Sequence, residues 1–151
     1  MQTRRDALKC SMALASLLMG AGMLPELAHA FEKSAFEAKT VAEVFKALGL
    51  PMPTESKDVG LTAPDIAENG AVVPMTVQTN LPGVKKLLLL VDKNPSPLIA
   101  QFAVSPALEA NFQTRAKMGQ SCDVFAVAVM EDGKTLFSKK EVKVTLGGCG
   151  G

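Results

Sequence analysis

The sequence predicts an all-β protein, two packed antiparallel sheets of about seven strands with one short helix in front and a flexible arm behind. Three observations point there. From Pro51 onward the chain is a succession of short runs rich in β-branched residues, cut by proline, glycine, asparagine and aspartate. No helical periodicity intervenes between those runs, which excludes an alternating α/β layout. At 151 residues with an ordinary apolar content, the chain has the length of one domain and one core.

The elements follow in chain order. Residues 1–30, "MQTRRDALKCSMALASLLMGAGMLPELAHA", combine a charged start, an apolar stretch from Cys10 to about Leu24 and a closing small-x-small "AHA". This is the layout of a cleaved export signal, with cleavage expected after Ala30. The apolar stretch is shorter than the roughly 18 to 20 residues that span a bilayer. Arg4 and Arg5, with Leu8 and Lys9 behind them, resemble a twin-arginine leader, although Ala7 stands where a large apolar residue is usual. Twin-arginine and general secretory export both lead to the bacterial periplasm.

Next, "TVAEVFKALG" reads as a helix. Thr40 and Glu43 fit a capping box, Val41, Val44, Phe45 and Leu48 recur at helical spacing, and Gly49 and Pro51 end it. The seven strand candidates are "VGLTAP", "AVVPMTVQT", "VKKLLLLVD", "LIAQFAV", "EANFQTRAKM", "CDVFAVAVM" and "KEVKVTL". The turns "NLPG", "KNPSP" and "EDGK" separate several of them. Pro74 marks an edge or bulge, because proline cannot donate to a strand ladder. "KKLLLLVD" is more continuously apolar than a one-sided strand requires, which suits either a strand buried on both faces or a partner surface. The pattern as a whole suits an immunoglobulin-like sandwich over residues 31–146, without the cysteine and tryptophan marks of antibody domains.

Composition narrows the function. Sixteen basic and fifteen acidic residues leave no basic surface for nucleic acid, and tryptophan and tyrosine are absent. His29, the one histidine, and Cys10 leave with the signal. The mature chain then has no histidine for nucleophile–base pairs or histidine-rich metal sites. It keeps Cys122 and Cys149, without C-x-x-C spacing, in an oxidising compartment. Asp65, Glu68 and Asn69 lack calcium-loop spacing and read as a solvated loop. Lys139, Lys140 and Lys143 either steer anions or are ordinary outward strand charges.

Residues 147–151, "GGCGG", form the expected arm. Gly147, Gly148, Gly150 and Gly151 bring no side chain to bury and leave the thiol of Cys149 unshielded. Five extended residues reach about 17 Å. Nothing local stabilises a thiolate, so activation has to come from a partner, which suits a carrier better than a catalyst. Cys122 shares the parity of Val124, Ala126 and Ala128 and reads either as a buried thiol or as half of a disulfide, with Cys149 or with a partner.

"EVKVTLGGCGG", with "TAPDIAENGAVVPMTV" and "KNPSPLIAQF" before it, resembles the SoxY family, the sulfur-carrying subunits of the SoxYZ complex in bacterial thiosulfate oxidation. The resemblance implies a non-enzymatic carrier without a cofactor of its own, with sulfur attached to Cys149 as an S-thiosulfonate and later as sulfane. It implies SoxZ as heterodimer partner, a SoxAX-type c-type cytochrome to load thiosulfate and the manganese hydrolase SoxB to release sulfate. Where present, the sulfane dehydrogenase SoxCD also acts on the arm. A non-covalent adaptor, or a redox protein pairing Cys122 with Cys149, are the alternatives.

Overall fold

The computed structural model describes residues 33–145. The expected export leader and the expected "GGCGG" arm, with Gly147, Gly148, Cys149, Gly150 and Gly151, lie outside the described residues.

Helix α1 (Val41–Ala47) is capped as its sequence requires. The Thr40 hydroxyl accepts the Glu43 N–H at 3.2 Å, and the Glu43 carboxylate accepts the Thr40 N–H at 3.2 Å. At the other end Gly49 adopts φ 65°, a left-handed conformation open to glycine. It lets the Leu50 N–H reach back to the Phe45 carbonyl at 2.9 Å and the Gly49 N–H to Lys46 at 3.1 Å, the double bond of a Schellman cap. Seven residues are too few to hold a helix alone in water, so its buried face, Val44 and Phe45, supplies the stability.

Nine strands follow among the described residues: β1 (Thr54–Glu55), β2 (Val59–Thr62), β3 (Ile66–Ala67), β4 (Val73–Thr79), β5 (Val84–Val91), β6 (Leu98–Ala103), β7 (Asn111–Ala116), β8 (Cys122–Met130) and β9 (Thr135–Val144). They form a six-stranded sheet, ordered β1-β9-β8-β5-β6 with β3 also on β9, and a three-stranded sheet ordered β2-β4-β7. All seven expected runs are strands, and the all-β sandwich stands. Two details differ from expectation. β9 begins at Thr135, earlier than the alternation suggested, and its free edge is covered by β1 and β3, both running parallel to it.

The sheets enclose one core. Met75 and Val77 of β4 meet Leu87, Leu89 and Val91 of β5 and Val124, Ala126 and Ala128 of β8. A second cluster lies on the other face of the large sheet, where Val44 and Phe45 of α1 pack with Leu88, Leu90, Val127 and Val129. The four consecutive leucines of β5 are therefore divided between two faces, both covered by the chain itself. Alternate side chains point to opposite sides of a sheet, and here each side meets apolar neighbours. Phe102 of β6 stacks on Phe112 of β7, with ring centroids 4.6 Å apart, and closes one flank of the sandwich. Pro74 pairs with Arg115 of β7, while the pairing of β4 with β2 stops at Thr76. The missing donor thus falls where β4 has a neighbour on one side only.

Candidate functional site

β8 starts and β9 ends at the same pole of the sandwich, with Cys122 opposite Val142. The described residues end there, at Thr145, four residues before Cys149. Val144 and Thr145, the last described residues ahead of "GGCGG", are the root at which the expected arm would be attached.

Two neighbours grip that root from opposite sides. Ser121 immediately precedes β8, and its hydroxyl accepts the Val144 N–H at 2.8 Å and donates to the Val144 carbonyl at 3.5 Å. A side chain here does what a further strand residue would do with its backbone. On the other side the Ala67 carbonyl of β3 accepts the Thr145 N–H at 3.1 Å and the Thr145 hydroxyl at 3.4 Å. One step earlier, the Asp65 carbonyl accepts the Lys143 N–H at 3.0 Å. β3, a strand of two residues, is the collar that completes the last turn of the ladder.

The collar is braced from behind. The Met118 N–H donates to the Gly70 carbonyl at 2.7 Å. A Cβ at position 70 would lie 2.5 Å from the Met118 carbonyl oxygen and 2.7 Å from Cγ1 of Val144. Such closeness is possible for glycine alone without a shift of backbone. The Asn69 side chain accepts the Ala71 N–H at 2.9 Å and sets the turn. Asn94 donates to the Lys117 carbonyl at 2.6 Å, joining a third loop to the same pole.

The charges divide accordingly. Lys140 sits 3.0 Å from Asp65 and also donates to the Ala63 carbonyl, while Lys139 sits 3.3 Å from Asp123. Both pairs are partly or largely exposed and contribute at most about 1 kcal/mol each. Lys143 is exposed. Asp65 and Asn69 serve the backbone around β3, through the Asp65 carbonyl on Lys143 and the Asn69 side chain on Ala71; among the described residues no group of three or more His, Cys, Asp or Glu side chains could hold a metal ion. Among them too, no helix is long and apolar enough to cross a membrane. Beside the root, a shallow groove of about 280 Å³ passes Pro64, Ile66, Ala67 and Val72, and Ile66 is 57% and Val72 51% exposed.

Cys122 is a free thiol buried in the inter-sheet core. Burial pushes its pKa up, the Lys93 backbone N–H pulls against that, and the carboxylates of Asp92 and Asp123 add to the rise. A thiol kept protonated is a poor nucleophile. Ser121, Gly70 and β3 were not apparent from the sequence, since each acts through residues distant along the chain. Glu68 and Asn69, which precede Gly70, read only as a solvated loop.

Residues 44–149 match the family described as sulfur oxidation protein SoxY. The structure is similar to that of the sulfur carrier protein SoxY from Chlorobium limicola f thiosulfatophilum, with 33% identity, a TM-score of 0.62, and coverage of 70% of this chain and 94% of that one. It is also similar in fold to the superoxide reductase (neelaredoxin) from Ignicoccus hospitalis, at 15% identity and a TM-score of 0.52, covering 58% of this chain and 80% of that one. At that identity the likeness concerns the sandwich alone. No curated protein matches the chain. With the match running from the middle of α1 through the whole sandwich to the cysteine at 149, the chain belongs to the SoxY family.

Proposed function

We propose that the protein is a periplasmic carrier that holds sulfur intermediates covalently on Cys149 and presents them to other enzymes. The observation that carries this reading is the extent of the family match, which runs to residue 149 and so includes the cysteine beyond the gripped root. A carrier needs one available thiol, a firm base and no competing nucleophile. The collar at Val144 and Thr145 and the burial of Cys122 support the last two.

The chemistry balances as follows. Loading joins the Cys149 thiol to thiosulfate with loss of one proton and two electrons, giving a cysteine S-thiosulfonate, the electrons passing to a c-type cytochrome of the SoxAX type. Water then cleaves the terminal sulfur–sulfur bond, releasing sulfate and one proton and leaving a protonated cysteine persulfide, Cys–S–SH. A manganese hydrolase, SoxB, performs that step. SoxCD, where present, oxidises the remaining sulfane before a second hydrolysis. The chain contributes the handle and works as a heterodimer with SoxZ.

Replacing Cys149 with serine tests the reading. Thiosulfate-dependent electron transfer, reconstituted with these partners, is expected to stop, and undiminished turnover would rule the carrier out. A redox pair between Cys122 and Cys149 is disfavoured by the burial and raised pKa of Cys122.

A further inference from the structure

The chain has four asparagines, and their surroundings separate one from the rest. Asparagine is thermolabile because the backbone nitrogen of the next residue can attack its side-chain carbonyl carbon, provided that nitrogen carries a hydrogen, is unbonded and is uncrowded. Asn94 precedes Pro95, which has no N–H, and its own amide is bonded to Lys117 and Gly119. After Asn80, the Leu81 N–H donates to the Thr79 hydroxyl at 3.2 Å. Asn111 and Phe112 are held in β7, paired with Gln78 and Val77. Asn69 is exposed and precedes Gly70, whose N–H donates to no acceptor among the described residues.

The turn at Asn69 also favours the attack. The Ala71 N–H donates to Asn69 Oδ1 at 2.9 Å, and the Val72 N–H donates to the Asn69 main-chain carbonyl at 3.3 Å. Oδ1 is the atom that gains negative charge when nitrogen adds to Cγ, so the Ala71 N–H stands where an oxyanion donor is needed. Glycine as the next residue puts no side chain in the way. Asp132 and Gly133 make the same turn elsewhere and serve as an internal contrast. The Asp132 carboxylate accepts the Lys134 N–H at 3.0 Å, but the Gly133 N–H is engaged by the Met130 carbonyl at 3.1 Å. The backbone N–H and then the side chain of Lys134 hold the Asp132 carboxyl below its ordinary pKa, and a carboxylate resists a nucleophile.

We infer that Asn69–Gly70 is a self-modification site of the folded chain, closing to a succinimide and opening to isoaspartate or aspartate. A bond forms between Gly70 N and Asn69 Cγ, the Cγ–Nδ2 bond breaks, and ammonia leaves with the Gly70 proton. Water then opens the ring at either carbonyl, and no electrons are exchanged. Opening at the main-chain carbonyl gives isoaspartate, which routes the backbone through Cβ and adds one carbon ahead of Gly70. The segment has no slack for it. The Gly70 carbonyl is tied to the Met118 N–H at 2.7 Å, and Gly70 packs so closely that a Cβ would lie 2.5 Å from the Met118 carbonyl oxygen. Isoaspartate therefore loosens the Met118 bond and, through β3, the Ala67 carbonyl on Thr145. Aspartate leaves the main chain as it was, and its carboxylate still accepts from Ala71.

The test incubates the folded mature chain at several pH values and maps its peptides by mass spectrometry, with electron-transfer fragmentation to tell isoaspartate from aspartate. Conversion is expected at Asn69, faster at higher pH because the Gly70 nitrogen has to lose its proton. Asn80, Asn94, Asn111 and Asp132 should be unchanged over the same period. The isolated isoaspartyl chain is expected to exchange its Met118 and Thr145 amide protons faster than the unmodified chain, while Asn69→Asp exchanges them at the wild-type rate. Asn69→Gln, whose longer side chain needs a larger ring, should lose the conversion; if it does not fold, the wild-type map decides alone. An Asn69 that stays intact in the folded chain, or conversion spread evenly over the four asparagines, would overturn the inference. Neither readout involves Cys149 or thiosulfate turnover, so the carrier reading stands or falls separately.

Discussion

Cys122 shows how one residue type takes its role from its surroundings. It sits opposite Val142 in the core, 7% exposed, where burial disfavours the thiolate. In the chain from Phe31 onward, a thiol reagent such as Ellman's is expected to label one cysteine quickly in the folded protein and two in denaturant. Fast labelling of Cys122 under native conditions would contradict its burial. The pH dependence has a definite sign. The folded-state pKa is raised, so the contribution is fully present below the unfolded value, near the ordinary 9.0, and is lost as pH rises through the folded value. The stability difference between wild type and Cys122→Ala, measured by urea unfolding, should be flat from pH 6 to 8 and move against wild type above pH 9. The proposed role of Cys149 rests on its flanking glycines, a local feature of the sequence, and on the family match that includes it. The fate of Cys122 was left between two readings, since parity in a strand gives a face but not what lies across from it. Gly70 was illegible as a site residue, because what it must avoid, Met118 and Val144, is brought to it by the fold. Gly70→Ala is expected to cost about 1–3 kcal/mol in urea unfolding through that clash.

Among the elements, α1 is the one whose sequence and structure agree most fully. Its capping box, its apolar spacing and its terminating glycine are all local signals, and all are used. Phe45, 1% exposed, anchors it against Leu88, Leu90 and Val127. Phe45→Ala is expected to lower stability by about 3–5 kcal/mol, read from the urea midpoint, because the cavity cannot close over a rigid sheet. Ile66→Ala, at an exposed position, should change it by less than about 0.5 kcal/mol. β5 was readable as a strand, but which surfaces cover its leucines was not, and the answer is α1 on one side and β4 on the other. The first half of β9 was missed for a related reason. Leu136 joins the inter-sheet core and Phe137 packs towards α1, so the alternation that betrays a one-sided strand is absent. β1 and β3 are two residues each, too short for any period to show, and exist because β9 offers them an edge.

At the scale of the molecule, the two poles of the sandwich are built differently. Val144 and Thr145, Cys122, β3 and the groove beside Ile66 gather where β8 begins and β9 ends. The opposite pole carries an open depression of about 570 Å³, bordered by Asn80, Leu108, Glu109 and Glu131. Substitutions there, such as Leu108→Ser, are expected to leave thiosulfate turnover unchanged. The fold is shared with a superoxide reductase at low identity, so the sandwich by itself does not define the chemistry. What distinguishes this chain is the family match and the cysteine it includes, carried past a root that the chain's own strands hold fast. The central claim is that sulfur is carried covalently on Cys149. Intact-protein mass spectrometry of the mature chain, after incubation with thiosulfate, its heterodimer partner and the conjugating cytochrome, tests it most directly. The account predicts a mass gain of one thiosulfate that is localised to Cys149, removed by reductant and absent from Cys149→Ser. An unchanged mass under turnover, or the same adduct on the serine variant, would contradict it.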